Sequence, residues 1–228
     1  MANEAFDYFD KVYVINLDSD QGRLERVSER LARMRVSFER NPAIVPPAMN
    51  IRCPDVLPGH FGCAMSHMQV LDLARRRCNE RCLILEDDVL FRDDAEALLA
   101  RALPCLKGVA WDVLYLGLHL VEKGPDLGPF VGSVKEGYHT HSYAVSRDGI
   151  AKVAASITES LRRLDNVFDK FEHAEMLKLY INPILTIQEP NFSATYGREI
   201  NRIVQYFERF FDAEDFRTHS PEMQKRGF

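Results

Sequence analysis

Three consecutive acids, Glu86, Asp87 and Asp88, follow the apolar run Cys82-Leu83-Ile84-Leu85. Four apolar residues in a row suit a strand buried on both faces. Three adjacent carboxylates suit the carboxyl end of such a strand in an open α/β sheet, where these folds place their ligands. Clustered hard oxygen donors of this kind hold Mg²⁺ or Mn²⁺ against substrate phosphates. The same triplet also reads as an acidic strand-to-helix turn, with Asp93 or Asp94 capping the next helix.

Two other segments carry chemistry. In VINLDSDQGRLER, residues 14–26, an apolar strand ends at Asn16 and Asp18 and a helix begins, so its backbone N–H groups can meet a phosphate. Arg23, Arg26, Arg30 and Arg33 line that helix at helical spacing. Arg23 and Arg26 lie nearest the ligand edge, whereas Arg30 and Arg33 read as a solvated face paired with Glu25 and Glu29. In GHFGCAMSH, residues 59–67, two glycines open a helix whose apolar run is interrupted by Ser66 and His67. His139 and His141 would share one face of an extended strand; one of them could complete a metal shell, although a structural histidine is the commoner case.

The elements that must position these residues follow from periodicity. Lys11–Leu17, a short segment at Ser37–Glu39, Arg81–Leu85, Trp111–Leu116, Ser142–Ser146 and Ile184–Ile187 read as strands. Helices are expected at about 20–34, 60–77, 93–103, 148–161, 166–178 and 198–211. The Pro-rich stretch 41–59 and the Gly/Pro-punctuated stretch 117–131 read as loops. Strands alternate with helices up to about residue 116, the pattern of a parallel sheet built from βαβ units.

Bulk properties exclude several classes. The chain has 228 residues, 46% of them hydrophobic and 28% charged, as in soluble globular proteins. A net charge of −5 gives no reason to expect nucleic acid as the main partner. No apolar stretch approaches the ~20 residues that span a bilayer, and the acidic start lacks a signal-peptide pattern, so a cytoplasmic location is expected. Five cysteines, an odd number, point to reduced thiols. Cys78-x3-Cys82, near Cys63, His60 and His67, does not match paired-doublet zinc patterns.

VYVINLDSDQGRLERV, GHFGCAMSH and LILEDDV, in that order, resemble glycosyltransferase family 25, which includes bacterial lipopolysaccharide sugar transferases and is similar to collagen galactosyltransferases. WDVLYLG at 111–117, THSYAVSRDGIAKV at 140–153 and Asn182-Pro183 through Gln188 also fit, so the resemblance covers roughly residues 11–195. Ser19–Gly22 and His60 depart from the family pattern.

The resemblance implies an α/β, GT-A-like fold: an open, mostly parallel sheet flanked by helices, with a Rossmann-like nucleotide-binding half. A single domain would span residues 1–211, with a donor half at 11–116, an acceptor half at 117–211 and a polar tail at 212–228. It implies an inverting hexosyltransferase moving galactose or glucose from a UDP-sugar to an oligosaccharide or lipid-linked saccharide, in lipopolysaccharide or another cell-surface glycan. Mn²⁺ or Mg²⁺ would be held by Asp88 and Glu86. Asn16, Arg23, Arg26, Ser66, His67, Glu86 and Asp87 would contact the nucleotide sugar. Asp165 would be the general base, with Asp169, Glu172 and Glu189 as rivals. Tyr206, Phe207, Phe210 and Phe211, with Arg198, Arg202 and Arg209, suit peripheral contact with the inner face of the membrane or packing onto the domain. The alternatives are a non-catalytic nucleotide- or saccharide-binding module, or a metal-dependent nucleotidyltransferase or phosphatase with Asp18 as nucleophile.

Overall fold

Alternating side chains of two apolar strands decide the architecture. In β1 (Lys11–Asn16), Tyr13 and Ile15 enter one core and Val12 and Val14 the other. In β3 (Arg81–Glu86), Cys82 and Ile84 face the first core and Leu83 and Leu85 the second. A strand buried on both faces needs helices on both sides. The computed structural model, which describes residues 4–45, 58–163, 168–189, 191–193 and 198–200, shows them.

One face is covered by α2 (Pro58–Arg76) and α4 (Arg147–Arg163), through Ala64, Val70 and Leu71 and through Ile150, Val153 and Ile157. The other is covered by α1 (Gln21–Arg33) and α3 (Ala95–Leu106), through Val27 and Leu31 and through Leu98, Leu99 and Ala102. The six-stranded sheet adds β2 (Glu39–Pro42), β5 (Val113–Gly128), β6 (Val131–Ser146) and β7 (Lys178–Ile181), in the order β2-β1-β3-β6-β5-β7. β1 is parallel to β2 and β3, and β5 to β7, while β6 is antiparallel to each strand it pairs with. All strands but β6 therefore run one way, and the expected α/β class with a mostly parallel sheet flanked by helices is the fold observed. Outside this sheet, β4 (Val89–Phe91) pairs with β8 (Thr186–Gln188), and β9 (Asn191–Ser193) with β10 (Arg198–Ile200).

Three expectations are corrected. Residues 117–131 are not a loop: β5 and β6 form a long irregular hairpin through Gly128 and Val131. Their glycines mark close approaches rather than turns. A Cβ on Gly117 would collide with Thr186 and with the His141 ring. Residues 166–178 do not make a helix over the described part. Phe168–Lys170 is a single 3-10 turn, and Phe171 adopts a left-handed φ of 47°. Phe168 and Phe171 both bury in the core, which is why the segment mimics helical spacing. The helix expected at 198–211 begins instead with strand β10; its remainder lies outside the described residues.

Candidate active site

The two-faced alternation of β3 continues past its end and separates the acids. Glu86 falls on the α2 face and Asp87 on the α1 face, and their partners follow from that. Glu86 Oε1 accepts a hydrogen bond from Thr140 Oγ1 at 2.9 Å and faces His67 Nε2 at 3.4 Å. Asp87 accepts from Asn16 Nδ2 at 2.8 Å and from Arg23 Nη1 at 3.0 Å. Asp88 lies 3.9 Å from the same Arg23 nitrogen and meets Gln188 Nε2 at 3.5 Å, while its Oδ1 is buried without a hydrogen-bond partner among the described residues.

The α1 side of the acid cluster is built by β1 and α1. Asp20 caps α1 by accepting from the Arg23 backbone N–H at 3.0 Å, which fixes the first turn and aims Arg23 at the acids. Asn16, 1% exposed, donates to Asp87 and to the Asp20 carbonyl and accepts from Arg40 Nε at 2.9 Å. Arg40 also pairs with Asp18, whose side chain is 78% exposed. Arg26 is half-exposed and lies 3.5 Å from Glu189. Arg30 is not on a solvated face, which corrects that expectation. It is 5% exposed, pairs with Glu189 at 3.0 Å and donates to the Val89 carbonyl. Its spacing from Arg23 puts it on the face that Val27 and Leu31 bury.

On α2, Ser66 and His67 are turned into the protein. Ser66 Oγ donates to the Gly62 carbonyl at 2.7 Å and accepts from Ile44 N–H at 2.8 Å, tying the helix to the segment after β2. His67 is fully buried, with Nδ1 at 3.1 Å from Tyr143 Oη.

Past Glu86 the hairpin bulges. Gly117 pairs with Ser142 and His119 with Tyr138, so β6 carries extra residues there, among them His139 with φ 80°. The bulge turns the His139 N–H to Asp169 Oδ2 at 3.0 Å and its ring to Gln188 at 2.9 Å. His141 is buried beside the Thr186 backbone, and neither of its nitrogens makes a well-formed hydrogen bond among the described residues. His139 and His141 are not simple neighbours on a flat strand face, although their rings meet edge to face at 6.1 Å.

Electrostatics differentiate the acids. Burial raises the Asp88 carboxyl well above its ordinary range, reinforced by Glu86 and Asp87 and opposed by Arg23. Burial also raises Asp87, against the pull of Arg23 and Asn16. For Glu86 burial is the largest effect and pushes upward, but His67, His141 and Thr140 together hold it down to about 2. Burial lifts Asp169, opposed by His139 and by His60 at the start of α2. Three neighbouring carboxyls beside one arginine carry an excess of negative charge that a cation would offset.

The structure thus brings Asn16, Arg23, Glu86, Asp87 and Asp88 to one sheet edge, with Arg26 at its rim and Ser66 and His67 behind it. Asp165 lies outside the described residues. Sequence reasoning did not single out Arg40, Thr140 or Gln188 as site residues. Arg40 is legible from its place opposite Val14 in a parallel register. The other two reach the site only through the bulge and the β4–β8 pairing, which carry no local signal.

The fold and site define an α/β protein with a carboxylate cluster at the carboxyl edge of a mostly parallel sheet, the edge that binds nucleotides in such sheets. The sequence model for Glycosyltransferase family 25 (LPS biosynthesis protein) matches residues 56–119, which span α2, β3 and the acids. The mouse protein named inactive glycosyltransferase 25 family member 3 is 28% identical over 172 residues, covering 65% of this chain and 29% of that protein. Mouse procollagen galactosyltransferase 2 is 25% identical over 173 residues, covering 65% and 28%. A solved structure named mannose-1-phosphate geranyltransferase, from Thermus thermophilus, superposes with a TM-score of 0.43 at 13% identity over 75% of this chain and 72% of that one. Over part of its length the chain is similar to members of glycosyltransferase family 25, and it spans less than a third of the length of these two curated relatives.

Proposed function

We propose that this chain is a metal-dependent, inverting glycosyltransferase that moves a hexose, galactose or glucose, from a UDP-sugar to a saccharide of lipopolysaccharide or another cell-surface glycan. A single domain over residues 1–211 would carry the reaction. The observation that carries the reading is Asp88 Oδ1. In a triplet whose other members are engaged by Arg23, Asn16, His67 and Thr140, it is a buried carboxylate oxygen with no partner among the described residues.

The all-oxygen donor set of Asp88 and Glu86 fits Mn²⁺ or Mg²⁺. When bound, the cation would act as a Lewis acid toward the charge that builds on the leaving diphosphate. Arg23, with Arg26 at the rim, supplies positive charge to the same phosphates. Asn16 and Asp87 offer polar contacts to ribose or sugar hydroxyls. Ser66 and His67 hold α2 and Glu86 in place.

Inversion requires one carboxylate to take the acceptor hydroxyl proton as the hydroxyl oxygen attacks the anomeric carbon and UDP departs. Asp165 and Asp169 are the candidates. Asp169 is favoured because hydrogen bonds through His139 and Gln188 link it to Asp88, and because burial lifts its carboxyl toward the range a base needs.

The test is a donor screen across UDP-sugars with Mn²⁺, read by UDP release, alongside thermal-shift titration with UDP and Mn²⁺. Stabilisation by the pair and release from one donor are expected, and Asp88→Asn should lose both. A folded chain that the pair does not stabilise would count against the reading. Metal-dependent UDP binding without turnover would favour the non-catalytic module, and one of the mammalian relatives is itself named inactive.

A further inference from the structure

Behind Glu86, on the α2 face of the sheet, lies a cluster of different chemistry. Cys63 offers its Sγ, His67 a ring nitrogen and Glu86 a carboxylate oxygen, and these atoms lie within 4.8 Å of one another. Cys63 and His67 are one helical turn apart, so their side chains stack on one face of α2 above the end of β3. Tyr143 Oη contacts His67 Nδ1 at 3.1 Å, which leaves Nε2 toward Glu86. This is how a ligating imidazole is usually oriented, with its second nitrogen held by a neighbour. A second observation points to the same place. The His141 ring is 1% exposed, neither nitrogen makes a well-formed hydrogen bond among the described residues although the Thr186 backbone lies beside it, and it comes opposite Glu86 when the β3–β6 register is continued by one pair. Buried polar atoms without partners call for a ligand or an ordered water.

We propose that Cys63, His67 and Glu86 form a binding site for a borderline transition-metal ion, Zn²⁺ in chemical class, with an open fourth position flanked by His141. Sulfur and imidazole ligands select such an ion over Mg²⁺ or Mn²⁺. Three protein ligands with one open position make an exchangeable zinc site rather than a closed structural one. Binding replaces the Cys63 thiol proton, which leaves to solvent as the thiolate–metal bond forms. The site shares Glu86 with the hard-cation set around Asp88, so zinc here draws Glu86 away from that set. The proposal does not depend on whether the chain transfers sugar.

The experiment is a Co²⁺ titration of the full chain in a Cys78→Ser background, which removes an exposed thiol. One equivalent should give a thiolate-to-cobalt charge-transfer band with tetrahedral d–d intensity. Cys63→Ser should abolish that band and weaken binding at least about tenfold. His67→Gln should weaken binding, and Asp88→Asn should leave the band in place. A folded chain without the band, or a band that survives Cys63→Ser, overturns the site. Should Cys63→Ser not fold, X-ray absorption of the zinc-loaded chain decides. One sulfur at about 2.3 Å supports the assignment, and a shell of nitrogen and oxygen alone, or more than one sulfur, refutes it.

Discussion

His139 gives its backbone N–H to Asp169 at 3.0 Å, and it does so from a left-handed conformation with φ 80°. A non-glycine residue held there stores on the order of 1–3 kcal/mol, which surrounding contacts must offset. The contacts are the Asp169 carboxylate on the backbone and Gln188 on the ring. Gln188 in turn meets Asp88. The bulge therefore ties the Asp169 carboxylate to Asp88, although the two belong to segments far apart in the chain.

The first prediction concerns that carboxylate. Asp169→Asn keeps the shape and an oxygen acceptor for the His139 N–H but removes the proposed base. Turnover should fall about 10²–10⁴-fold, while Mn²⁺-dependent UDP binding, read by thermal shift, stays close to wild type. Because burial raises the Asp169 carboxyl, the acid limb of kcat/KM should lie above the ordinary carboxylate range. If Asp165→Asn shows the loss and Asp169→Asn does not, the base is Asp165.

The second concerns Arg23, which faces both Asp87 and Asp88. Arg23→Ala leaves the buried Asp87 and the partly exposed Asp88 without their cation, and breaking a buried pair costs about 3–5 kcal/mol. The variant should have a lower Tm than wild type. Mn²⁺ should raise that Tm more than it raises the wild-type value, since the ion supplies the missing positive charge. Equal shifts in the two proteins would separate the metal from this cluster.

The third concerns Arg30 and Glu189, both nearly fully buried and 3.0 Å apart. Arg30→Met alone takes from the buried Glu189 carboxylate its nearer cation, leaving Arg26 at 3.5 Å, and should cost up to about 3–5 kcal/mol in urea unfolding. Arg30→Met combined with Glu189→Leu should recover most of that, because an apolar pair avoids the desolvation of both charges. A double variant as unstable as the single would mean that Glu189 is held mainly by Arg26 and the backbone.

Much of this arrangement is legible in the chain, for identifiable reasons. The apolar runs of β1 and β3 announce a buried parallel sheet, and the acids after Leu85 announce where its strand ends, because a local pattern encodes both. Arg30 misleads because its charge outweighs its position on a face that Val27 and Leu31 bury. The β5–β6 hairpin is hidden by Gly117, Gly124 and Gly128, which read as turn residues and instead mark close packing against other segments. The links made by Gln188 and Thr140 depend on long-range pairings that no window of sequence contains.

The last prediction is a pH dependence at the sheet edge. Glu39 on β2 pairs with Lys11 on β1 at 2.9 Å and with Arg77, just past α2, at 2.6 Å. The Arg77 and Lys11 hydrogen bonds lower its carboxyl from 4.5 to about 2. A depressed carboxyl contributes stability that is present in full above its unfolded value and is lost as pH falls through the folded one. The Glu39 contribution should therefore be complete above about pH 4.5 and gone below about pH 2. The side chain is 33% exposed, so solvent screening limits the effect to about 1 kcal/mol. Glu39→Gln should lower Tm at neutral pH, and the gap to wild type should close on acidification through that window and shrink in high salt. A gap that stays constant from neutral to strongly acidic pH would mean that the pairs anchor the edge by packing of the Lys11 and Arg77 stems rather than by charge.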